Sequence, residues 1–183
     1  MWRFIVVSVL ILSILTGCLN KSEQILDVSK LERKSPLEME PVSYLAPNVK
    51  VALEAIPFKL TLPSNLPFES EGFRDMDIVD WFEEDGKNIS IELLAIPQKA
   101  SGETSYVAIH AQDFQVELTT DGDELLLQNG TKAIFNGGSD NKAGIFFIHD
   151  RVLIGIAFVG KGKDFKTEEL KQIVIDLANQ MVK

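Results

Sequence analysis

The chain is poor in the residues that build metal and cofactor sites. It has one cysteine, Cys18, and only two histidines among 183 residues. A single cysteine excludes an internal disulfide, and a zinc site normally needs three or four nitrogen or sulfur ligands. His110 and His149 have no second ligand close by in sequence. We therefore predict that the protein has no metal site and no cofactor.

Basic charge is also scarce. The chain has 18 Lys and Arg residues against 27 Asp and Glu residues, a net charge of −9, and no run of basic residues. An acidic surface of this kind disfavours broad contact with nucleic acid or with an anionic membrane. Nucleic acid is therefore not an expected partner.

Apolar sequence of membrane type is confined to the N-terminus. Residues 4–15 form a mainly apolar run that suits a signal peptide and is short for a membrane-spanning helix. Leu15, Thr16 and Gly17 then precede Cys18, and the four residues match a lipobox, the bacterial signal for lipidation and cleavage. We predict cleavage between Gly17 and Cys18, acyl chains on the Cys18 thiol, and a location on the extracytoplasmic face of the cell membrane. An uncleaved anchor and an ordinary secretory signal are the alternatives.

Polar sequence with several prolines follows the signal. Residues 18–48 contain Pro36, Pro41 and Pro47, and a loose helix is conceivable only at 21–34. This composition favours a flexible tether that holds the domain away from the bilayer. We therefore divide the chain into a signal peptide (1–17), a tether (18–48) and a single folded domain (49–183).

Prolines bracket the first regular segment of that domain. Residues 57–63 place Phe58, Leu60 and Leu62 on one side of an alternating pattern, which predicts a half-buried strand. The next four residues, 64–67, predict a turn.

A resemblance to a known family begins at the pattern Pro57-Phe58-Lys59-Leu60-x-Leu62-Pro63-x-x-Leu66-Pro67. It resembles the opening of a domain-of-unknown-function family of lipoproteins from Gram-positive, endospore-forming bacteria. The resemblance covers about residues 57–182, although Gly72-Phe73 follows five positions later than the corresponding pair in that family. It implies an antiparallel sheet closed by a C-terminal helix, similar to the half-barrel of lipoprotein carriers and envelope-stress sensors. The family supplies no catalytic residues.

Alternating apolar segments continue to residue 159 and predict an antiparallel sheet. Asp85-Gly86 and Asn129-Gly130 separate such segments, and both dipeptides favour tight hairpin turns. The last two segments are apolar on both faces, which is typical of central strands. We expect a meander or half-barrel of about seven or eight strands. The predicted strands are residues 78–83, 88–96, 106–111, 114–119, 124–128, 131–136, 143–148 and 152–159.

A helix is predicted to close the domain. Thr167 is placed to cap it, and Glu168 and Glu169 suit the positive end of the helix dipole. The apolar residues that follow have the spacing of a helix with one buried face. They are Leu170, Ile173, Val174, Leu177, Ala178 and Met181. The predicted fold class is α+β, with this amphipathic helix packed on one face of the sheet.

Acidic and glycine-rich stretches do not form a recognisable catalytic or calcium site. The first acidic stretch lacks the spacing of a calcium loop, so we interpret it as a solvated sheet edge. Residues 121–124 are interpreted as a turn, and Gly137-Gly138 lacks the strand-to-helix context of a phosphate loop. There is no G-x-S-x-G motif. The acidic stretch comprises Asp75, Asp77, Asp80, Glu83, Glu84 and Asp85.

These observations favour a non-enzymatic, membrane-anchored lipoprotein that binds a partner in the cell envelope. The alternative is a carrier or sensor of a hydrophobic ligand, such as a lipid or a lipoprotein, which requires an apolar concavity on the sheet. A hydrolase is the least favoured class. The side chains that could line the concavity are Leu94, Ile96, Leu126 and Phe146, since each lies on an apolar run.

Overall fold

The computed structural model describes residues 25–34, 41–82, 85–98, 105–139, 141–161 and 164–183. Gly17 and Cys18 lie outside this part of the chain, as do Glu83 and Glu84. The strands are β1 Glu32–Arg33, β2 Val42–Leu45, β3 Phe73–Asp80, β4 Ile89–Ala95, β5 Tyr106–Gln112, β6 Asp123–Leu126, β7 Lys132–Ser139, β8 Lys142–His149 and β9 Val152–Val159. The helices are α1 Val49–Ala55 and α2 Thr167–Met181, and a short 3-10 turn spans Val28–Lys30. No helix among the described residues is long and apolar enough to cross a membrane.

The strands form one antiparallel sheet in the order β1-β2-β3-β4-β5-β9-β8-β7-β6. The predicted α+β class and the antiparallel sheet are confirmed. The described residues form nine strands rather than seven or eight, and the sheet is not a simple meander because β5 pairs with β9. Buried residues occupy three consecutive positions of β9, from Ile154 to Ile156. β9 lies in the middle of the sheet between β5 and β8, and the ring of Phe146 covers Gly155 on the face opposite Ile154 and Ile156.

One face of the sheet carries the hydrophobic core, and we call it the covered face. Five side chains that follow one another across β4, β5, β9, β8 and β7 are all 4% exposed or less. Helix α2 packs against β7, β8 and β9 on this face. The five side chains are Leu93, Ile109, Ile156, Ile145 and Phe135.

The predicted strand at residues 57–63 is wrong, although its one-sided burial is confirmed. The segment forms no ladder, yet Leu60 is buried and Phe58 and Leu62 pack against the core. Prolines at both ends remove two donors that a ladder would use. Directly after this segment, the backbone is hydrogen-bonded to α2. Gln180 Oε1 accepts hydrogen bonds from the N–H groups of Ser64 (3.1 Å) and Asn65 (2.9 Å).

The predicted tether at residues 18–48 is too long. Residues 25–34 and 41–48 belong to the folded domain, because β1 and β2 pair with the sheet and Leu26 is buried. Asn48 caps α1 by accepting a hydrogen bond from Val51 N–H at 3.0 Å. The prediction was wrong because it relied on polar composition. A strand with one buried face, such as β2, needs only one apolar side chain in two.

Three local predictions also need correction. Residues 114–119 form no strand, because Gln115 has φ 48° and its carbonyl accepts a hydrogen bond from Glu117 N–H at 2.9 Å, which closes a tight turn. The expected loop at 137–142 is largely strand, since β7 continues through a bulge to Ser139. Thr167 is the first residue of α2 rather than its cap, which is Lys166.

Candidate binding face

The side of the sheet opposite α2 is the candidate binding face, and we call it the open face. Half-buried apolar side chains occupy it, in contrast to the fully buried ones of the covered face. In one row across the sheet, Glu92 and His110 are followed by Gly155, Phe146 and Ile134. The apolar part of this face, here the open-face patch, consists of Leu94, Ala108, Ile134, Phe146, Ile148, Leu153 and Ala157.

Phe146 is the largest side chain of the open-face patch, and its position depends on Gly155. A Cβ atom added to Gly155 would lie 2.9 Å from Phe146 Cε1 and 3.0 Å from Cδ1. The ring therefore lies directly over the backbone of β9. A glycine inside an otherwise apolar strand is the sequence signal for such a close approach.

Three of the four predicted lining residues, Leu94, Leu126 and Phe146, share the open face but lie on separate strands. Leu94 and Phe146 lie on β4 and β8, three strand positions apart, or about 14 Å at the usual strand spacing. Leu126 is 66% exposed on the edge strand β6. Ile96 follows β4, where its carbonyl accepts a hydrogen bond from Ser70 Oγ at 2.8 Å and its side chain lines a small cavity of about 180 Å³.

A larger groove, of about 590 Å³, lies at one end of the sheet. This end, here the turn end, carries the β3–β4, β6–β7 and β8–β9 turns and residues 113–119, since the strands that they follow or join all end there. Asp150 and Arg151 of the β8–β9 turn have φ 48° and 67°, the left-handed pair that a two-residue hairpin turn requires. The groove is lined by Pro57, Phe58, Asp113, Val116, Ile148, Asp150, Arg151 and Val152.

Asp113 is a groove residue whose carboxyl group has a raised pKa. Burial raises the pKa of its carboxyl, the hydrogen bond from Ile89 N–H (2.9 Å) lowers it in part, and the nearby charge of Asp80 raises it further. The described residues that line the groove include no serine, cysteine or histidine. The groove instead carries two carboxyl groups, those of Asp113 and Asp150.

The histidines and the acidic stretch are dispersed. His110 Nε2 lies 3.1 Å from Gln112 Oε1, whereas His149 Nε2 lies 3.7 Å from Asp150 Oδ2. Among the described residues, no group of three or more His, Cys, Asp or Glu side chains could hold a metal ion.

The acidic stretch divides between the sheet and its turn. Asp77 lies on the open face with Lys34 Nζ at 2.7 Å, Asp80 is buried, and Asp85 accepts a hydrogen bond from Lys87 N–H in the turn.

Sequence reasoning missed a cluster of aromatic side chains at the turn end, here the aromatic cluster, formed by Trp81, Phe82 and Phe114. The ring centroids of Trp81 and Phe82 lie 6.1 and 6.0 Å from that of Phe114. Trp81 and Phe82 were assigned to the predicted strand 78–83, but β3 ends at Asp80. The available signal was a pair of adjacent aromatic residues beside an Asp-Gly turn. Neighbouring residues of a strand point to opposite faces, so only one of the two could have pointed into the core from the predicted strand.

No family model matches this chain, and no curated protein and no solved structure matches it either.

Proposed function

We propose that the protein is a lipid-anchored, non-enzymatic binding protein of the extracytoplasmic membrane face, and that the open-face patch binds a protein partner. The observation that carries this proposal is the contrast between the two faces of the sheet. Leu93, Ile109 and Ile145 of the covered face are fully buried, whereas Leu94, Ala108 and Phe146 of the open face are only partly buried. Contiguous apolar surface of this kind is a mark of interaction sites.

The shape of the patch favours a protein surface over a small hydrophobic ligand. Small-molecule sites are concave and bury most of the ligand. The patch instead follows a sheet surface. Of its residues only Ile148 lines the groove of about 590 Å³ at the turn end, and the cavity of about 440 Å³ lies beside α2. His110 and Glu92, adjacent to Gly155 in the central row, add a polar border of the type found at protein interfaces. The carrier function stays as the second hypothesis.

The anchor supports the proposal from the sequence. The lipobox ends at Cys18, and two or three acyl chains on one residue give stable attachment where a single chain is marginal. Mass spectrometry of the N-terminal peptide from membranes should find cleavage after Gly17 and acylated Cys18. The Cys18→Ser chain should lose both and leave the membrane fraction.

The binding face is tested with thiol cross-linking. Because Cys18 is the only cysteine, an introduced one is the only free thiol in the lipidated protein. Ala157→Cys on the open face should cross-link to one partner, whereas Gln172→Cys on the exposed side of α2 should not. The purified partner should then bind Phe146→Ser at least tenfold more weakly and Gln172→Ser normally. Equal cross-linking from both positions would contradict the proposal, and a lipid retained in native mass spectra would support the carrier function instead.

A further inference from the structure

The aromatic cluster at the turn end exposes apolar surface that the open-face proposal does not use. Trp81 is 39% exposed and Phe82 is 47% exposed, although both are large apolar residues. Phe114 lies between them at centroid distances of 6.1 and 6.0 Å. Exposed Trp and Phe side chains are typical of protein surfaces that lie in the interface between a membrane and water.

The cluster is held in place from beneath. Trp81 Nε1 donates a hydrogen bond to Ser90 Oγ at 2.8 Å, and Ser90 is itself buried. The backbone N–H of Trp81 donates to the Asn88 carbonyl at 3.1 Å. Gln112 Nε2 holds the next loop by donating to the Phe114 carbonyl at 2.9 Å. A fixed arrangement of rings loses little conformational entropy when it meets another surface.

The N-terminal segment joins the domain at the same end. Leu26 N–H donates to the Gly86 carbonyl at 2.9 Å, which attaches the segment to the β3–β4 turn. A Cβ atom on Gly86 would lie 3.3 Å from Ile25 Cβ, and Ile25 is 57% exposed. The first described residue and the aromatic cluster therefore belong to the same turn region.

The length of chain before Ile25 brings this region close to the bilayer. Six residues separate Cys18 from Ile25, and the seven steps between the two residues span at most about 25 Å even when fully extended. A domain of this size has a radius of gyration of about 15 Å. Its diameter is therefore greater than the maximum length of the tether. Even a weak contact between this region and the bilayer is then populated, because a short tether gives an effective concentration on the order of mM.

We propose that the turn end contacts the membrane surface, with Trp81 and Phe82 at the lipid–water interface and Ile25 beside them. This inference rests on the proposed lipid anchor at Cys18. Among the described residues of the β3–β4 turn, Lys87 Nζ lies 3.7 Å from Asp85 Oδ2, so this pair adds no net charge. The contact is therefore apolar, and anionic lipid weakens it rather than drives it, given the net charge of −9.

The chain offers an internal probe for this contact. Its two tryptophans are Trp2 and Trp81, so Trp81 is the sole tryptophan in a Trp2→Phe chain, whether or not the signal peptide is removed. The full chain carrying Trp2→Phe is purified from membranes and reconstituted into vesicles that contain brominated phosphatidylcholine. Brominated lipid should quench Trp81 fluorescence strongly, and phosphatidylglycerol in the vesicles should reduce that quenching.

A matched pair of variants separates the aromatic cluster from exposed apolar residues in general. Phe82→Ser should abolish most of the lipid quenching of Trp81. Leu126→Ser should not change it, because Leu126 is more exposed and lies at the same end of the sheet but on β6, six strand positions or about 28 Å from β3.

Mass spectrometry of the same sample distinguishes the two proposals. Acylated protein whose Trp81 is not quenched by lipid, or equal effects of Phe82→Ser and Leu126→Ser, would overturn the membrane contact and leave the anchor intact. Protein without acyl chains on Cys18 would overturn the anchor and the contact that rests on it.

Discussion

The ring of Phe146 lies over Gly155 of the adjacent strand, so close that an added Cβ on Gly155 would lie 2.9 Å from Phe146 Cε1. This pairing decides what the middle of the open face presents. With glycine on β9, the ring lies along the sheet and adds flat apolar area to the open-face patch. A side chain at Gly155 would displace the ring.

The first prediction concerns Gly155→Ala. The new methyl group should lower the free energy of unfolding by about 1–3 kcal/mol, because an overpacked contact must be relieved by moving Phe146 or the backbone. Urea denaturation measures the change. Gly144→Ala is the matched control, since its Cβ would meet no atom closer than 3.5 Å. Equal losses in the two variants, or failure of an added Phe146→Leu to restore Gly155→Ala, would contradict the proposed contact.

The second prediction concerns the hydrogen bonds between α2 and Ser64 and Asn65. Gln180 Oε1 accepts hydrogen bonds from Ser64 N–H and Asn65 N–H, and its Nε2 donates to the Asn65 carbonyl at 3.2 Å. Gln180→Ala should reduce the free energy of unfolding by about 1–2 kcal/mol and speed hydrogen exchange at both amides. Gln172→Ala is the control, because its amide bonds only within the helix, to Asp176. Unchanged exchange at Ser64 and Asn65 in the Gln180 variant would argue against the link.

The third prediction follows from the raised pKa of Asp113. A carboxyl whose pKa is higher in the folded than in the unfolded protein binds more protons when folded. Its contribution to stability is therefore complete below its ordinary pKa of 3.8 and is lost as the pH rises through the folded pKa. Asp113→Asn keeps an acceptor for Ile89 N–H and removes the titration. The stability of this variant relative to wild type should therefore increase as the pH rises above about 3.8.

Asp27 supplies a control with the opposite sign. Hydrogen bonds from the Ser29 side chain and backbone lower the pKa of its carboxyl, so its contribution is present at neutral pH and is lost as the pH falls through the folded pKa. The stability of Asp27→Asn relative to wild type should therefore decrease as the pH rises. Denaturation curves collected between acidic and neutral pH measure both trends. Trends of the same sign in the two variants would refute the assignment.

The fourth prediction concerns the buried side of α2. Val174 is fully buried against the sheet, so Val174→Asp should place an unpaired charge in the core and unfold the domain. Circular dichroism and denaturation report this loss. Val174→Ala should cost only about 1–3 kcal/mol, and Gln172→Asp on the exposed side should have little effect. A folded Val174→Asp domain would show that α2 is not essential to the core.

The amino-acid sequence by itself determined the features that depend on local pattern. The helix at the C-terminus and strands β4, β5, β8 and β9 match the predictions to within two residues, because their apolar periods are long and uninterrupted. The Asp85-Gly86 turn likewise joins β3 to β4 as predicted. The lipobox remains a prediction, since Cys18 lies outside the described residues.

Only the tertiary structure decided the features that depend on distant partners. The pairing of β5 with β9 joins residues more than 40 positions apart, and no local pattern encodes that choice. Edge strand β1 and its neighbour β2 need few apolar residues because they bury at most one face, so they had the composition of a tether. The tertiary structure also shows that Leu94, Leu126 and Phe146 share a face on strands two or more positions apart, because spacing along a strand sets the face and strand order sets the distance.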